Sequence, residues 1–307
     1  MINKLRQQAV NPQLLEEVIA FNKNNTVEDQ MKARIPKDQI IYLGKDIWEQ
    51  AITACLQGAN LLLVGPKSTG KNLLASNLAM LFNRPSWNVS LNMNTDENQL
   101  LGADTFINNE VVFRPGPITQ ASQLGGFCVL DEINMAKNEA LSILHATLDD
   151  RRILDIPGQD LINLHEKTRF IATMNYGYLG TRDLNEALVS RFMVIDMPQI
   201  QEEYLNSLLS QRFPSIRSDS KKALVHFFKD LELKVEHAEI SSRAMDLRGL
   251  LSAIDATKYG LSLQKALNMG ITNKAFDSFE QELINDLIRL NFPKELTKKE
   301  IFDDTDF

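Results

Sequence analysis

Apolar residues along the chain fall into two kinds of run. Residues 60–64, 127–130, 170–174 and 192–197 are short, largely apolar stretches, the length and composition of buried parallel strands, and residues 87–91 form a similar short segment. Between them the period changes. Residues 71–82 carry Leu74, Leu78 and Leu81, and a later segment carries Leu141, Leu144 and Leu148, each a one-sided helical stripe. Strands alternating with helices predict an α/β domain on a parallel sheet. Upstream, Ile47, Ala51, Ile52 and Cys55 space as a helix that stops at Gly58.

The two ends read differently. Residues 1–34 are polar apart from a Leu14, Leu15, Val18, Ile19 stripe, and Ile35-Pro36 breaks the pattern, which predicts an N-terminal helical arm. After Pro198 the strand pattern ceases. Leu205-Leu208-Leu209, Leu224-Phe227-Phe228-Leu231, Leu247-Leu250-Leu251-Ile254 and Phe279-Leu283-Leu287 are all helical in spacing. The expected organisation is therefore an arm over 1–34, an α/β core over 35–199 and an all-helical domain over 200–307. The acidic tail from Asp303 to Asp306 is expected to be solvated and frayed.

Composition narrows the class. The 307 residues, 44% hydrophobic and 24% charged, describe an ordinary folded protein of about two domains. With 33 basic against 40 acidic side chains and a net charge of -7, a chain that coats nucleic acid is disfavoured, because such binding neutralises phosphates. The longest apolar run lies within 59–64, far short of the ~20 residues that cross a bilayer. Arg6, Asn11, Glu16 and Glu17 interrupt any export signal. Cys55 and Cys128 sit in apolar segments without ligand-spaced partners, so both read as reduced core thiols of a cytoplasmic protein. His145, His165, His226 and His237 show no zinc-binding spacing.

The chemistry concentrates at Gly65-Pro66-Lys67-Ser68-Thr69-Gly70-Lys71, which follows a predicted strand and opens a predicted helix. Glycines let backbone N–H groups close around phosphate oxygens, the helix N-terminus adds positive potential, and Lys71 reaches the β- and γ-phosphates. The next residue, where Ser or Thr ligates Mg²⁺, is Asn72. Its amide oxygen is a neutral hard ligand, expected to hold the metal directly or through water. Its extra atom fits the octahedral shell less well, so slow catalysis is expected. A second element, Phe127-Cys128-Val129-Leu130-Asp131-Glu132, is an apolar strand ending in two carboxylates about sixty residues on. Asp131 is suited to the Mg²⁺ shell and Glu132 to polarising the attacking water.

Taken in order, Gly65 to Lys71, Asp131-Glu132, Ala172-Thr173-Met174-Asn175 and Glu186-Ala187-Leu188-Val189-Ser190-Arg191-Phe192 resemble the successive motifs of AAA+ ATPases. More narrowly they resemble the MoxR group with its NorQ/CbbQ-like members. Leu101-Gly102-Ala103 through Phe113-Arg114-Pro115-Gly116-Pro117-Ile118, and Leu148-Asp149-Asp150-Arg151-Arg152-Ile153, fit the same group. The resemblance spans roughly residues 35–260. It implies a P-loop NTPase core with a C-terminal all-helical lid, binding ATP and Mg²⁺. Asn175 matches the first sensor, Arg191 the arginine finger that enters the next subunit's site, and Arg243 the second sensor, with Arg248 a competitor. The alternative reading of either of the last two is a helix-surface charge partnered by Glu239 or Asp246, and that of Arg191 a cation at a helix C-terminus.

Two hairpins are expected, one turning at Asn108-Asn109 and one at Pro157-Gly158. In the family such inserts project toward a ring pore and contact partners; the plain alternative is a solvent hairpin. The resemblance implies a homo-oligomeric ring, most simply a hexamer, that remodels or activates a client protein together with a von Willebrand factor A domain partner. Two alternatives stay open. One is an ATP-binding assembly switch with negligible hydrolysis because of Asn72; the other is a nucleic-acid-linked AAA+ motor, which the net charge disfavours.

Overall fold

The computed structural model describes residues 1–176 and 183–303; the acidic tail from 304 onward lies outside them. The chain divides into two compact units, Met1–Pro198 and Gln199–Phe307. In chain order the first unit holds α1 (Ile2–Gln7), α2 (Pro12–Asn24), α3 (Lys45–Gln57), β1 (Leu61–Val64), α4 (Lys71–Leu81), β2 (Ser86–Ser90), α5 (Glu97–Leu101), β3 (Gly102–Ile107), β4 (Glu110–Pro115) and α6 (Pro117–Leu124). It continues with β5 (Phe127–Asp131), α7 (Asn138–Leu141), α8 (Leu144–Leu148), β6 (Ile153–Leu154), β7 (Ile162–Asn163), β8 (Arg169–Met174), α9 (Glu186–Val189) and β9 (Met193–Asp196).

All five predicted strands form, and they make one parallel sheet in the order β2-β5-β8-β1-β9. The unbroken apolar runs follow from burial on both faces. Leu61 and Leu63 of β1, Phe127 and Val129 of β5 and Ile171 of β8 enter one cluster with Leu74 and Leu78 of α4. Their alternating neighbours Leu62, Cys128, Leu130, Phe170 and Ala172 enter a second cluster with Ile118, Leu144 and Leu148. The first cluster also takes Leu5, Val10, Leu15 and Val18. The segment read as an arm is thus anchored against the sheet-covering helices through fully buried side chains.

One helical reading in this unit is altered. The stripe Leu141, Leu144, Leu148 belongs to two short helices, α7 and α8, separated at Ser142, whose hydroxyl donates to Glu139 O at 2.7 Å and competes with the backbone ladder. The hairpin β3–β4 is antiparallel and turns at Asn108 and Asn109, both at positive φ (49° and 70°), as a two-residue type I′ turn requires. Its Phe106 and Val111 are each 69% exposed. Strands β6 and β7 form the second hairpin.

The second unit is helical: α10 (Glu202–Arg212), α11 (Ser218–Glu236), α12 (Leu247–Thr257), α13 (Leu263–Gly270), α14 (Ser278–Asn291) and α15 (Lys298–Ile301). Side chains cap three of its helix starts: Asp246 accepts from Gly249 N, Asp277 from Phe279 N and Glu280 N, and Thr297 and Glu300 form a capping box. α12 and α13 touch backbone to backbone. A Cβ on Gly249 would lie 2.0 Å from Gly270 O, and one on Gly270 2.4 Å from Gly249 O. On α14 the buried stripe is Ile284, Leu287 and Ile288, while Phe279 is exposed, a phase different from the expected Phe279-Leu283-Leu287. No helix among the described residues is long and apolar enough to cross a membrane.

Candidate functional site

The parallel sheet delivers three strand ends to one edge, where α/β folds place their ligands. β1 runs into Gly65, whose N–H donates to Met174 O at 3.2 Å. A Cβ there would stand 2.4 Å from Met197 O, so only glycine lets the chain leave the sheet along this path. Ser68 and Gly70 then take left-handed conformations (φ 64° and 85°), turning the loop over Pro66, Lys67 and Thr69 into the N-terminus of α4. Thr69 Oγ1 donates to Pro66 O at 3.1 Å and steadies that turn. Gly70 provides no side-chain cap. The first-turn N–H groups of α4 therefore carry the positive end of its dipole without a capping side chain.

Lys71 is 7% exposed. Its Nζ donates to Gly65 O at 2.8 Å, Pro66 O at 2.6 Å and Thr69 Oγ1 at 3.2 Å, so the ammonium's three protons all rest on neutral oxygens of its own loop. Burial pulls its pKa down to about 8, against the opposing pull of Asp131 and Glu132.

β5 ends in the acidic pair. Asp131 Oδ1 accepts from the Thr173 hydroxyl of the neighbouring β8, and Asp131 Oδ2 accepts from Asn72 Nδ2 at 2.7 Å. Thr173 Oγ1 also accepts the Glu132 backbone N–H at 3.1 Å. Glu132 itself is left-handed (φ 56°), a conformation that costs a non-glycine residue about 1–2 kcal/mol. Asn175 follows the end of β8, its carbonyl accepting from Asn134 Nδ2 at 2.9 Å. Lys71, Asn72, Asp131, Glu132 and Asn175 thus all follow the carboxyl ends of adjacent strands. Asn72, expected to turn its amide oxygen toward a metal, instead gives its nitrogen to Asp131.

Arg191 lies elsewhere. It precedes β9, which runs parallel to β1 with Met193 opposite Leu61 and Asp196 opposite Val64. Its backbone therefore sits at the amino ends of the strands, about 13 Å of strand length from the loop end at ~3.3 Å per residue. Arg191 Nε donates to His145 O of α8 at 3.0 Å and Nη1 donates to Ala187 O of α9, so the cation bridges carbonyls of the two helices.

Arg243 and Arg248 belong to the helical unit. Arg243 is in the turn before α12 rather than on the helix, its guanidinium 5.2 Å from the Phe276 ring centroid; Arg248 is exposed in the first turn of α12. The acids offered as their partners are engaged with lysines, Glu239 with Lys234 at 2.6 Å and Asp246 with Lys274.

Three residues beyond the sequence reading shape the site. Thr173 joins the two acids to β8. The Tyr42 ring packs against Gly70, 3.1 Å from where a Cβ would stand. Asn77 of α4, fully buried, accepts from Tyr42 N at 2.8 Å and donates to Asp38 Oδ2 and Ile40 O, stapling the 38–42 segment to the helix behind the loop. The only sequence signal was polar residues in apolar runs, Thr173 in a strand and Asn77 inside a helix.

Residues 60–192 match the AAA domain model of the dynein-related subfamily. The chain is 32% identical over 259 residues to an uncharacterised protein of Staphylococcus saprophyticus, covering 82% of this chain and 98% of that one. It is 31% identical over 288 residues to the uncharacterised protein YojN of Bacillus subtilis, covering 92% and 94%, and 34% identical over 241 residues to an uncharacterised protein of Staphylococcus aureus, covering 76% and 90%. A crystal structure of a candidate ATPase from Cytophaga hutchinsonii aligns over 89% of this chain and 96% of its own, at 14% identity and a TM-score of 0.46, a likeness too loose to carry an argument. The phosphate-type loop, the acidic strand end and the parallel sheet that joins them make the chain a member of the AAA family of P-loop nucleotide-binding proteins.

Proposed function

We propose that the chain is a MgATP-hydrolysing AAA+ protein of the MoxR type that works as a ring. The observation that carries this reading is the convergence of Lys71, Asp131, Glu132 and Asn175 on one end of the sheet, with Arg191 at the other. The donor set fits a magnesium-bound nucleoside triphosphate: a loop turned by left-handed Ser68 and Gly70, a glycine without room for a Cβ, a buried ammonium and two carboxylates.

In this reading the N–H groups from Gly65 to Asn72 and the N-terminus of α4 bind the phosphates. Lys71 exchanges its loop carbonyls for β- and γ-phosphate oxygens. Asp131 holds the metal, which when bound neutralises phosphate charge. Glu132 accepts a proton from the attacking water, and Asn175 orients that water. Arg191, at the far end of its own sheet, serves the site of an adjacent copy and stabilises charge there. Arg243, or else Arg248, reports phosphate occupancy to the helical unit. The exposed apolar tip of the β3–β4 hairpin suits contact with a client protein, and the family likeness points to a von Willebrand factor A domain partner, a hexamer and a cytoplasmic location.

Phosphate release by purified protein tests the reading. Turnover with magnesium that disappears in Glu132→Gln while ATP binding persists supports it; absence of adenine-nucleotide binding by folded protein overturns it. The hydrogen bond from Asn72 to Asp131 favours one second reading, an ATP-binding assembly switch with negligible hydrolysis, which ATP-dependent oligomerisation without phosphate release would identify.

A further inference from the structure

The position after the phosphate-loop lysine is filled by an amide that is already in use. Asn72 Nδ2 donates to Asp131 Oδ2 over 2.7 Å. The partner dictates the orientation: with the amide turned over, a carbonyl oxygen would face a carboxylate oxygen with no proton between them. The second carboxylate oxygen is taken by the Thr173 hydroxyl. The two donors differ in place. Thr173 is 1% exposed beneath the acid, whereas Asn72 stands exposed on the open side, the side from which an ion in solution reaches Oδ2.

We propose that Asn72 is a latch on Asp131 and not a metal ligand. Its N–H acts as a neutral stand-in for a cation, satisfying the carboxylate in the metal-free state, and has to let go before a divalent ion shares Oδ2. The inference rests on the reading of this loop as a magnesium–nucleotide site and gives that site a threshold for metal. A hydroxyl at the same position offers an oxygen to the ion; an amide facing this way offers the ion nothing and competes with it. A hydrogen bond to a partly exposed carboxylate is expected to weaken metal binding by about tenfold.

Latch and ligand predict opposite signs for one substitution. Removing a ligand weakens metal binding; removing a latch strengthens it. The full chain is titrated with Mn²⁺ in saturating ADP, free ion being read by electron paramagnetic resonance, for the wild type, Asn72→Ala and Asn72→Ser. ADP affinity is first measured in EDTA by calorimetry. The latch predicts ADP affinities in EDTA within about twofold of one another, and half-saturation by Mn²⁺ at about tenfold lower concentration in Asn72→Ala, with Asn72→Ser at least as tight. Weaker or unchanged Mn²⁺ binding in Asn72→Ala overturns the latch while leaving the nucleotide site standing. Failure of the wild type to take up ADP both in EDTA and with Mg²⁺ supplied overturns the nucleotide reading, and the latch with it. Position 72 is exposed on the first turn of α4, and matching thermal midpoints establish that the variants fold.

Discussion

Thr173 on β8 donates its hydroxyl proton to Oδ1 of Asp131 on the neighbouring β5. Thr173 Oγ1 in turn accepts the backbone N–H of Glu132 at 3.1 Å, so one buried hydroxyl fixes the carboxylate proposed to hold the metal and the backbone of the proposed base. Glu132 is left-handed, and strain of this kind persists only where the surroundings enforce it. Thr173 is therefore a positioning residue.

Thr173→Val keeps the shape and deletes the hydroxyl. Turnover is expected to fall about 10- to 100-fold, the usual range for losing a group that orients a metal-binding side chain, while ADP affinity in EDTA is retained. Thr173→Ser restores the hydroxyl and most of the rate. Steady-state phosphate release across the three proteins checks this; equal rates in Thr173→Val and wild type would refute the positioning role.

Lys71 gives the site a pH dependence. Its pKa falls from 10.5 in the unfolded chain to about 8 in the fold, so between those values the unfolded state binds more protons and stability rises with pH. Below pH 8 the buried ammonium costs the free protein on the order of 3 kcal/mol, at 1.36 kcal/mol per pKa unit. Lys71→Met is expected to melt higher than wild type at pH 7, and the gap to close between pH 8 and 10.5. Phosphate favours the charged form, so ATP affinity measured by calorimetry in EDTA falls by up to about tenfold per pH unit above pH 8. Lys71→Arg, charged throughout, stays flat.

Gly249 and Gly270 let α12 and α13 meet backbone to backbone. Gly249→Ala gains helix propensity, about 1 kcal/mol, but places a methyl group 2.0 Å from Gly270 O, where no flexible side chain is available to yield. The helices must separate, and overpacking of this kind costs about 1–3 kcal/mol. Urea unfolding is expected to show net destabilisation, whereas Gly260→Ala, with nothing within 4 Å of its Cβ, suffers only the strain of its positive φ.

The central strands β1, β5 and β8 were legible because burial on both faces leaves a continuous apolar run, and the loop because its glycines and Lys71 lie together in sequence. What stayed hidden depends on which strand ends meet. Asn72 and Asp131 are about sixty residues apart, and nothing in the spacing orients the Asn72 amide. Thr173 reads as an ordinary strand residue until β5 and β8 are paired. The packing of residues 1–34 was hidden for another reason: Leu5 and Val10 reach the core from a polar stretch too short to display a period.

Arg191 is held within its own chain, and the proposed shared site requires it in an adjacent copy. Within the chain its guanidinium holds His145 O and Ala187 O, a structural task at the end of α9; in a ring it would leave these carbonyls for the phosphates of an adjacent copy. Arg191→Ala should lower stability by about 0.5–1.5 kcal/mol, the worth of ordinary hydrogen bonds, leave ATP affinity within about threefold, and reduce turnover by about 10³-fold or more, as loss of an arginine finger does. A protein whose Arg191 served only the helix end would show the stability loss and keep its turnover. Mixing gives the sharper measurement. Lys71→Ala subunits lack the loop cation but carry Arg191, and Arg191→Ala subunits the reverse, so equimolar assembly of two inactive variants is expected to recover a measurable share of wild-type turnover. No recovery under conditions where the two co-assemble would place Arg191 outside the shared site.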